Sequence, residues 1–358
     1  MSKRIGILTG GGDCPGLNAV IRAVVLHADR LGWQVVGVED GFTGMYEQRY
    51  QDLTPRSVAQ LISRGGTVLG SSNRANPFAY PIKVPGGEEI RDVSDECLAN
   101  LGRLGLEALI LVGGDGTMSI GQQLMAKGLK VVGVPKTIDN DLEATEYTVG
   151  FQTSVEVASD AIDRLHTTAE SHDRIIICEV MGRYAGWIAM EAGLAGAADV
   201  ILIPEIDYDC SEIVGHLRRK HEGRDTYSII VVAEGAKPKG GELSVLRKGD
   251  VTQQERLGGA GQRLADQLRD HVDYDIRVSV LGHILRGGTP CAFDRLLATR
   301  FGAKAIDLLR EGRFGEVAAL RAGEIVSAPM SEAVAKLKRV DPDGDLVHAA
   351  RALGVHLG

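Results

Sequence analysis

No apolar run in the 358 residues approaches the roughly 20 that a membrane-spanning helix needs. The opening MSKRIGILTGGG reads as a strand entering a Gly-rich turn, not as a secretory leader, so a cytoplasmic protein is expected. Basic excess is missing as well. Forty Lys and Arg face 48 Asp and Glu, a net charge of −8, which argues against nucleic acid as the main partner and against a membrane surface. The five cysteines at 14, 97, 178, 210 and 291 form no CxxC pair, so neither a disulfide framework nor a zinc cluster is indicated. Low-complexity tracts and solenoid repeats are absent. No Gly-rich stretch continues into GK[ST], and none matches GxGxxG with a ribose-binding acid at the proper offset. A P-loop kinase and an ordinary dehydrogenase are both disfavoured.

What is present is a regular alternation. Short apolar runs, RIGILT, WQVVGV, EALILVGG, LKVVGV, RIIICEV, DVILIP, YSIIVVA and RVSVLG, are separated by segments of helical pattern. Runs of that length suit strands buried on both faces of a parallel sheet, and the alternation predicts a doubly wound α/β architecture. With 44% hydrophobic residues the chain fills one large domain or two medium ones. Element order places a first α/β domain at 1–150, with a return at about 285–335, and a second at 151–284. A helical C-terminal segment at 336–358 completes the chain.

In such sheets ligands sit beyond the carboxyl ends of the strands, which is where the glycines and charges gather. GGGDCPG at 10–16 joins a strand to a helix, an arrangement that lets backbone N–H groups approach an anion; alone, it reads equally as a tight turn. GGDGT at 113–117 repeats the arrangement, with Asp115 placed either to bind a phosphate-bridging magnesium or to cap the next helix. PKTIDND at 135–141 brings Lys136, Thr137, Asp139 and Asp141 to a third strand end. A kinase acting on a hydroxyl needs a base and neighbouring cations. Alone, the stretch is more simply an Asx-rich capped loop.

Arginines bracket two further strands, R-IIICEV-MGR and R-VSVL-GHILRGG. Paired arginines hold phosphate esters well, although a single arginine at a strand end is ordinarily surface cover. At about 3.3 Å per residue, Arg174 and Arg183 should lie about 25–30 Å apart, and Arg277 and His283 about 20 Å. One small sugar phosphate does not span either distance. If all four contact substrate, one end of each strand serves a neighbouring subunit, which predicts an oligomer with shared sites.

Taken together, TGGGDCPGLNAVIR, GGTVLGSSNR, GGDGT, PKTIDNDL, SHDRIIICEVMGRYAGW, AEG, VLGHILRGG and FDRLLATRFG, in this order over nearly the whole chain, resemble 6-phosphofructokinase of the bacterial type. The resemblance implies two α/β domains with the site in the cleft, a homotetramer (or a dimer), a place in glycolysis, and Mg2+ as cofactor. The implied reaction moves the terminal phosphoryl of ATP to the 1-hydroxyl of fructose 6-phosphate. Carried onto this chain, Asp139 is the base, Thr137 and Arg183 complete the catalytic set, and Asp115 sits at the metal. Gly12, Arg74, Gly114, Asp115, Gly116 and Thr117 bind the donor. Thr137, Ile138, Asp139, Met181, Gly182, Arg183, Glu234, His283, Ile284, Leu285 and Arg286 bind the sugar phosphate, with Arg174 and Arg277 reaching an adjacent subunit's substrate.

There are departures from the family pattern. GSSNR carries one residue more than the shorter GSxR form, which weakens the assignment of Arg74. Leu26 and His166 stand where allosteric bacterial enzymes have effector-site arginines, which argues against activation by a nucleoside diphosphate. Lys136 precedes TIDND as in pyrophosphate-using relatives, whereas Gly116 leaves room for a nucleotide α-phosphate. The pair favours ATP, with pyrophosphate or ADP as alternative donors. More distant alternatives are an NAD or lipid kinase, which share GGDGT, and a non-catalytic sugar-phosphate sensor.

Overall fold

The computed structural model describes residues 3–222, 226–249 and 255–358. The chain begins β1 (Arg4–Thr9), α1 (Leu17–Arg30), β2 (Gln34–Val38), α2 (Phe42–Glu47) and β3 (Tyr50–Leu53). A hairpin of β4 (Tyr80–Val84) and β5 (Gly87–Arg91) precedes α3 (Ser94–Arg103), β6 (Ala108–Gly113), α4 (Asp115–Ala126) and β7 (Val131–Pro135). Next come α5 (Phe151–Glu170), β8 (Ile175–Val180), α6 (Trp187–Ala195), β9 (Val200–Leu202), α7 (Cys210–Glu222) and β10 (Ser228–Ala233). A small hairpin, β11 (Val245–Arg247) and β12 (Arg256–Leu257), leads to α8 (Ala260–Leu268), β13 (Ile276–Val280) and a 3₁₀ turn, Gly282–Arg286. The chain ends with α9 (Ala292–Glu311), β14 (Glu316–Arg321), β15 (Glu324–Pro329), α10 (Met330–Ala335) and α11 (Asp345–Ala352).

All eight apolar runs are strands. They divide between a seven-stranded sheet, ordered β15-β14-β7-β6-β1-β2-β3, and a four-stranded parallel sheet, ordered β13-β8-β10-β9. The larger sheet is parallel through β2, β1, β6, β7 and β14, with β3 and β15 antiparallel at its edges. Alternation along the strands fills both faces: Ile7 and Ile110 enter one apolar cluster, Leu8, Leu109 and Leu111 another. The first of these clusters also takes Ile176, Cys178 and Val231 from the smaller sheet, so a continuous core joins the two sheets. β13 departs from the sequence expectation. It is an edge strand, half-open to solvent, with Val280 60% exposed. Its apolar composition signals partial rather than two-sided burial.

Asp294, near the start of α9, is fully buried and accepts hydrogen bonds from Gly150 N at 2.9 Å, Thr153 N at 2.8 Å and Thr153 Oγ1 at 2.6 Å. Its carboxylate thus satisfies free N–H groups at the start of α5 from a distant part of the chain. Gly150, at φ +100°, is the N-cap of that helix, and a Cβ there would meet Cys14 Sγ at 2.5 Å. The crossing from one sheet to the other is therefore fastened by Asp294 of α9 and by Cys14, whose Sγ donates to Val149 O at 3.3 Å.

Candidate active site

The carboxyl ends of β1, β6, β7, β8, β10 and β13 face a cleft of about 870 Å³. The loop after β1 is tied to the larger sheet by Gly10 N, which donates to Val112 O at 2.9 Å. Lys136 reaches under this loop. Its Nζ donates to Gly10 O at 2.8 Å and also to Gly12 O. Only 3% of the residue is exposed, and burial pulls its pKa below the usual lysine value. The ammonium therefore belongs as much to loop architecture as to the cleft it borders. A Cβ on Gly12 would meet Arg286 Nη1 at 2.7 Å, so glycine there lets the arginine cross the loop, where Nη1 donates to Asp13 O at 3.2 Å.

The loop after β6 opens α4 with Gly114 as N-cap; Asp115 is the first helical residue and not the cap. Its carboxylate sits where the helix dipole favours negative charge. Thr117 is buried beneath the loop, and a Cβ at Gly113 would clash with Thr117 Oγ1. Gly116 differs, since a Cβ there has nothing within 4 Å.

After β7, Thr137 Oγ1 accepts Asp139 N at 3.1 Å, and Thr148 Oγ1 donates to Thr137 O at 2.6 Å. Asn140, at φ +52°, ties the loop to itself: its Oδ1 accepts Thr148 N at 3.1 Å and its Nδ2 donates to Glu146 O at 3.2 Å. Asp139 is 4% exposed, and its Oδ1 is buried without a hydrogen-bond partner. Burial pushes its pKa up; Arg286 and Arg183 pull it down, and Asp115 pushes it up again. Asp141 is raised to about 7 by burial, with Asp139 and Asp115 adding repulsion. A buried carboxyl with a raised pKa that lines a cleft beside arginines marks a candidate functional group.

Across the cleft stand Met181 and Arg183 after β8, Glu234 after β10, and His283 and Arg286 in the 3₁₀ turn. Arg183 adopts φ +52°, a conformation costly for a non-glycine residue, and Glu234 Oε1 accepts its backbone N–H at 3.1 Å. Gly182, at φ +143°, permits the turn, because a Cβ would lie 2.6 Å from Ala185 O. Glu234 is raised to about 7, chiefly by burial and then by Asp139.

Not every residue named from the sequence lines this cleft. Ile138 and Leu285 are fully buried below it, and Ile284 points outward with 66% exposure. Arg174 and Arg277 sit together at the opposite ends of β8 and β13, sharing Asp275 at 3.0 and 2.8 Å. Arg74 does line the cleft and lies 3.6 Å from Glu88 of the β4–β5 hairpin. His166 Nε2 is 2.7 Å from Gly196 O. Sequence reasoning missed Asp13, Asn73, Glu179, Glu255 and Arg256, all of which border the cleft. Glu179 lies inside a β-strand run and accepts Gly259 N at 3.0 Å and Gly261 N at 2.8 Å. A charge within IIICEV was its only signal.

These groups predict a pH effect on stability. Unfolded carboxyls titrate near pH 4, whereas Asp141 and Glu234 titrate at about 7 in the fold. Between those values these two carboxyls bind more protons in the folded chain than in the unfolded one, so their contribution to stability falls as pH rises. Thermal unfolding of the ligand-free protein should show a higher Tm at about pH 5.5 than at about pH 8, and Glu234→Gln should reduce the difference. A Tm that rises across this window contradicts the assignment.

Fold and cleft together define an α/β protein with a cleft between two sheets, lined by glycine loops, buried carboxyl groups and arginines. The phosphofructokinase family model matches residues 4–309, and the chain belongs to that family. It is 48% identical over 357 residues to the ATP-dependent 6-phosphofructokinase 2 of Clostridium perfringens, covering 99% of this chain and 98% of that protein. It is also 50% identical over 344 residues to the pyrophosphate–fructose 6-phosphate 1-phosphotransferase of Amycolatopsis methanolica, covering 95% and 97%. Among solved structures, the phosphofructokinase of Pichia pastoris superposes with a TM-score of 0.81 at 30% identity over 94% of this chain; the present chain spans 36% of that longer one.

Proposed function

We propose that the protein is an ATP-dependent 6-phosphofructokinase, transferring the terminal phosphoryl of ATP to the 1-hydroxyl of fructose 6-phosphate. The observation that carries the chemistry is Asp139, a buried carboxyl lining the cleft whose Oδ1 no protein group engages. Asp139 takes the acceptor hydroxyl's proton, and Thr137 holds the loop through its bond from Asp139 N. Arg183, with Met181 and Glu234, seats the sugar phosphate, and His283 and Arg286 close the same side. The donor lies along Gly12, Gly114, Asp115, Gly116 and Thr117, with Arg74 and Asn73 at its outer end. Arginines near the transferred group offset the charge it develops.

Among the described residues no group of three or more His, Cys, Asp and Glu could hold a metal by itself. Magnesium does not require one, because it binds through one or two carboxylates plus substrate phosphates. Asp115 meets that requirement, lining the cleft close enough to raise both Asp139 and Asp141 by repulsion. Bound there with the donor, magnesium would neutralise phosphate charge.

ATP is favoured over pyrophosphate by the open space at Gly116, which supports room for a nucleotide α-phosphate. Lys136 is common to the alternative, but its ammonium is already engaged by Gly10 O and Gly12 O. Arg174 and Arg277, paired through Asp275 away from the cleft, serve a neighbouring subunit's acceptor site in a tetramer with shared sites. A coupled assay offering fructose 6-phosphate with ATP, ADP or pyrophosphate separately tests the reading. Turnover is expected with ATP. Turnover with pyrophosphate alone overturns the donor, and none with any donor overturns the function.

A further inference from the structure

Residues 336–340 lie outside both sheets but bond to the loop carrying Asp139 and, through Trp187 and Glu205, reach the end of the turn that follows Arg183. Leu337 forms an antiparallel bridge with Leu142, and Lys338 N donates to Asp141 O at 2.9 Å. Lys338 Nζ donates to Thr145 O at 3.0 Å and to Glu146 O. Glu146 O is the carbonyl that also accepts Asn140 Nδ2, next to Asp139. The same lysine faces the second sheet: Trp187 Nε1 at the start of α6 donates to Lys338 O at 3.1 Å, and Lys338 Nζ lies 5.1 Å from the Trp187 ring centre.

Two residues on, Val340 N donates to Glu205 Oε1 at 3.0 Å. Glu205 Oε1 also accepts Gly186 N at 2.9 Å, in the turn that follows Arg183. The chain then packs α11 against α6 and adds His356 to the β9 edge, with Ile201 N donating to His356 O at 2.9 Å and His356 N to Asp199 O at 3.0 Å. The segment is thus anchored at both ends.

We propose that residues 337–340 form a strap that sets the Asp139 loop against the Arg183 turn, with Lys338 as its positioning residue. The proposal rests on the reading of Asp139 as base and Arg183 as acceptor contact. Lys338 touches neither substrate; its amine and its backbone together make three bonds into the loop and one to Trp187 of α6. Removing the amine leaves two loop carbonyls without this partner, with the Leu337–Leu142 bridge, the Lys338 N–Asp141 O bond and the Lys336–Glu143 ion pair as remaining links. Charge supports the placement. Burial draws the Lys338 pKa down to about 8, against opposing pulls from Glu191 of α6 and from Glu143, Glu146 and Asp141 of the loop. The ammonium is retained in a poorly solvated place because those groups and the carbonyls surround it.

The test compares Lys338→Met and Lys338→Arg with the wild-type chain by amide hydrogen exchange without substrate, then by steady-state kinetics. In Lys338→Met, amides of 139–148 should exchange about tenfold faster or more while those of β10 are unchanged. Turnover should fall about ten- to a hundredfold with both KM values within about threefold, the pattern of a displaced catalytic loop. Lys338→Arg should recover turnover to within about threefold of wild type, since its N–H groups reach the same carbonyls. Glu205→Gln loosens the far anchor and should speed exchange in 139–148 even if Lys338→Met does not fold. Unchanged exchange in a folded variant overturns the strap. Faster exchange with unchanged kcat, or a loss carried by KM alone, overturns the positioning role. If the wild-type chain turns over no fructose 6-phosphate, the assigned function fails, while the exchange data still decide whether Lys338 fastens the loop.

Discussion

Replacing Asp139 with serine or alanine should lower kcat at least a hundredfold, about 2.7 kcal/mol of lost transition-state stabilisation. Michaelis constants for fructose 6-phosphate should change little, because the proposed acceptor contacts Met181, Arg183, Glu234 and His283 line the cleft from other strand ends. The substitution should not unfold the protein. Asp139 Oδ1 is buried without a partner and its carboxyl is disfavoured in the charged form, so a smaller neutral side chain relieves strain in the ligand-free state. A modest rise in Tm at neutral pH is expected, as for a buried acid whose role is functional and not structural. Wild-type turnover in Asp139→Ser removes the residue from its role as base. A collapse in Tm would instead make it a folding residue.

The second large effect concerns the donor. Asp in place of Gly116 should leave the fold intact, because a Cβ at 116 meets nothing within 4 Å and a carboxylate suits the first turn of α4. It should nonetheless impair ATP. Two like charges about 4 Å apart repel by about 4 kcal/mol at an effective dielectric of about 20. Even after relaxation, kcat/KM for ATP should fall at least about tenfold, while KM for fructose 6-phosphate moves less than about threefold. Pyrophosphate, which has no α-phosphate attached to a nucleoside, is not penalised in this way. An unchanged ATP affinity in Gly116→Asp would show that the nucleotide does not pass over this position. Lys136 then becomes the residue to vary, with the expectation that its loss disturbs the Gly10–Gly12 loop for any donor.

Much of the site was legible because its chemistry lies in short stretches. A glycine loop, a GGDGT turn and a TIDND turn each follow an apolar strand, and each emerges at a carboxyl end facing the cleft. The arginine-bracketed strands were equally legible, and rise per residue alone separates Arg174 from Arg183. Ile138, Ile284 and Leu285 mark the limit. The family resemblance put them in the acceptor set, but side-chain direction along a turn is decided by what each apolar group can bury against. Ile138 and Leu285 enter the core, and Ile284 faces solvent.

By itself the sequence determined the eight strands, their α/β alternation, the three loops at strand ends and the family to which the chain belongs. These are local properties, written in periodicity, glycine placement and contiguous motifs. Tertiary structure alone decided which ends meet. Lys136 holds the glycine loop 126 positions earlier, Asp294 supplies the start of α5 across 144, and Lys338 secures the Asp139 loop from the far end of the chain. It also made RVSVLG an edge strand and brought Arg174 and Arg277 onto Asp275. Long-range hydrogen bonds and ion pairs depend on the relative placement of whole elements. Periodicity and spacing within one segment carry no record of that placement.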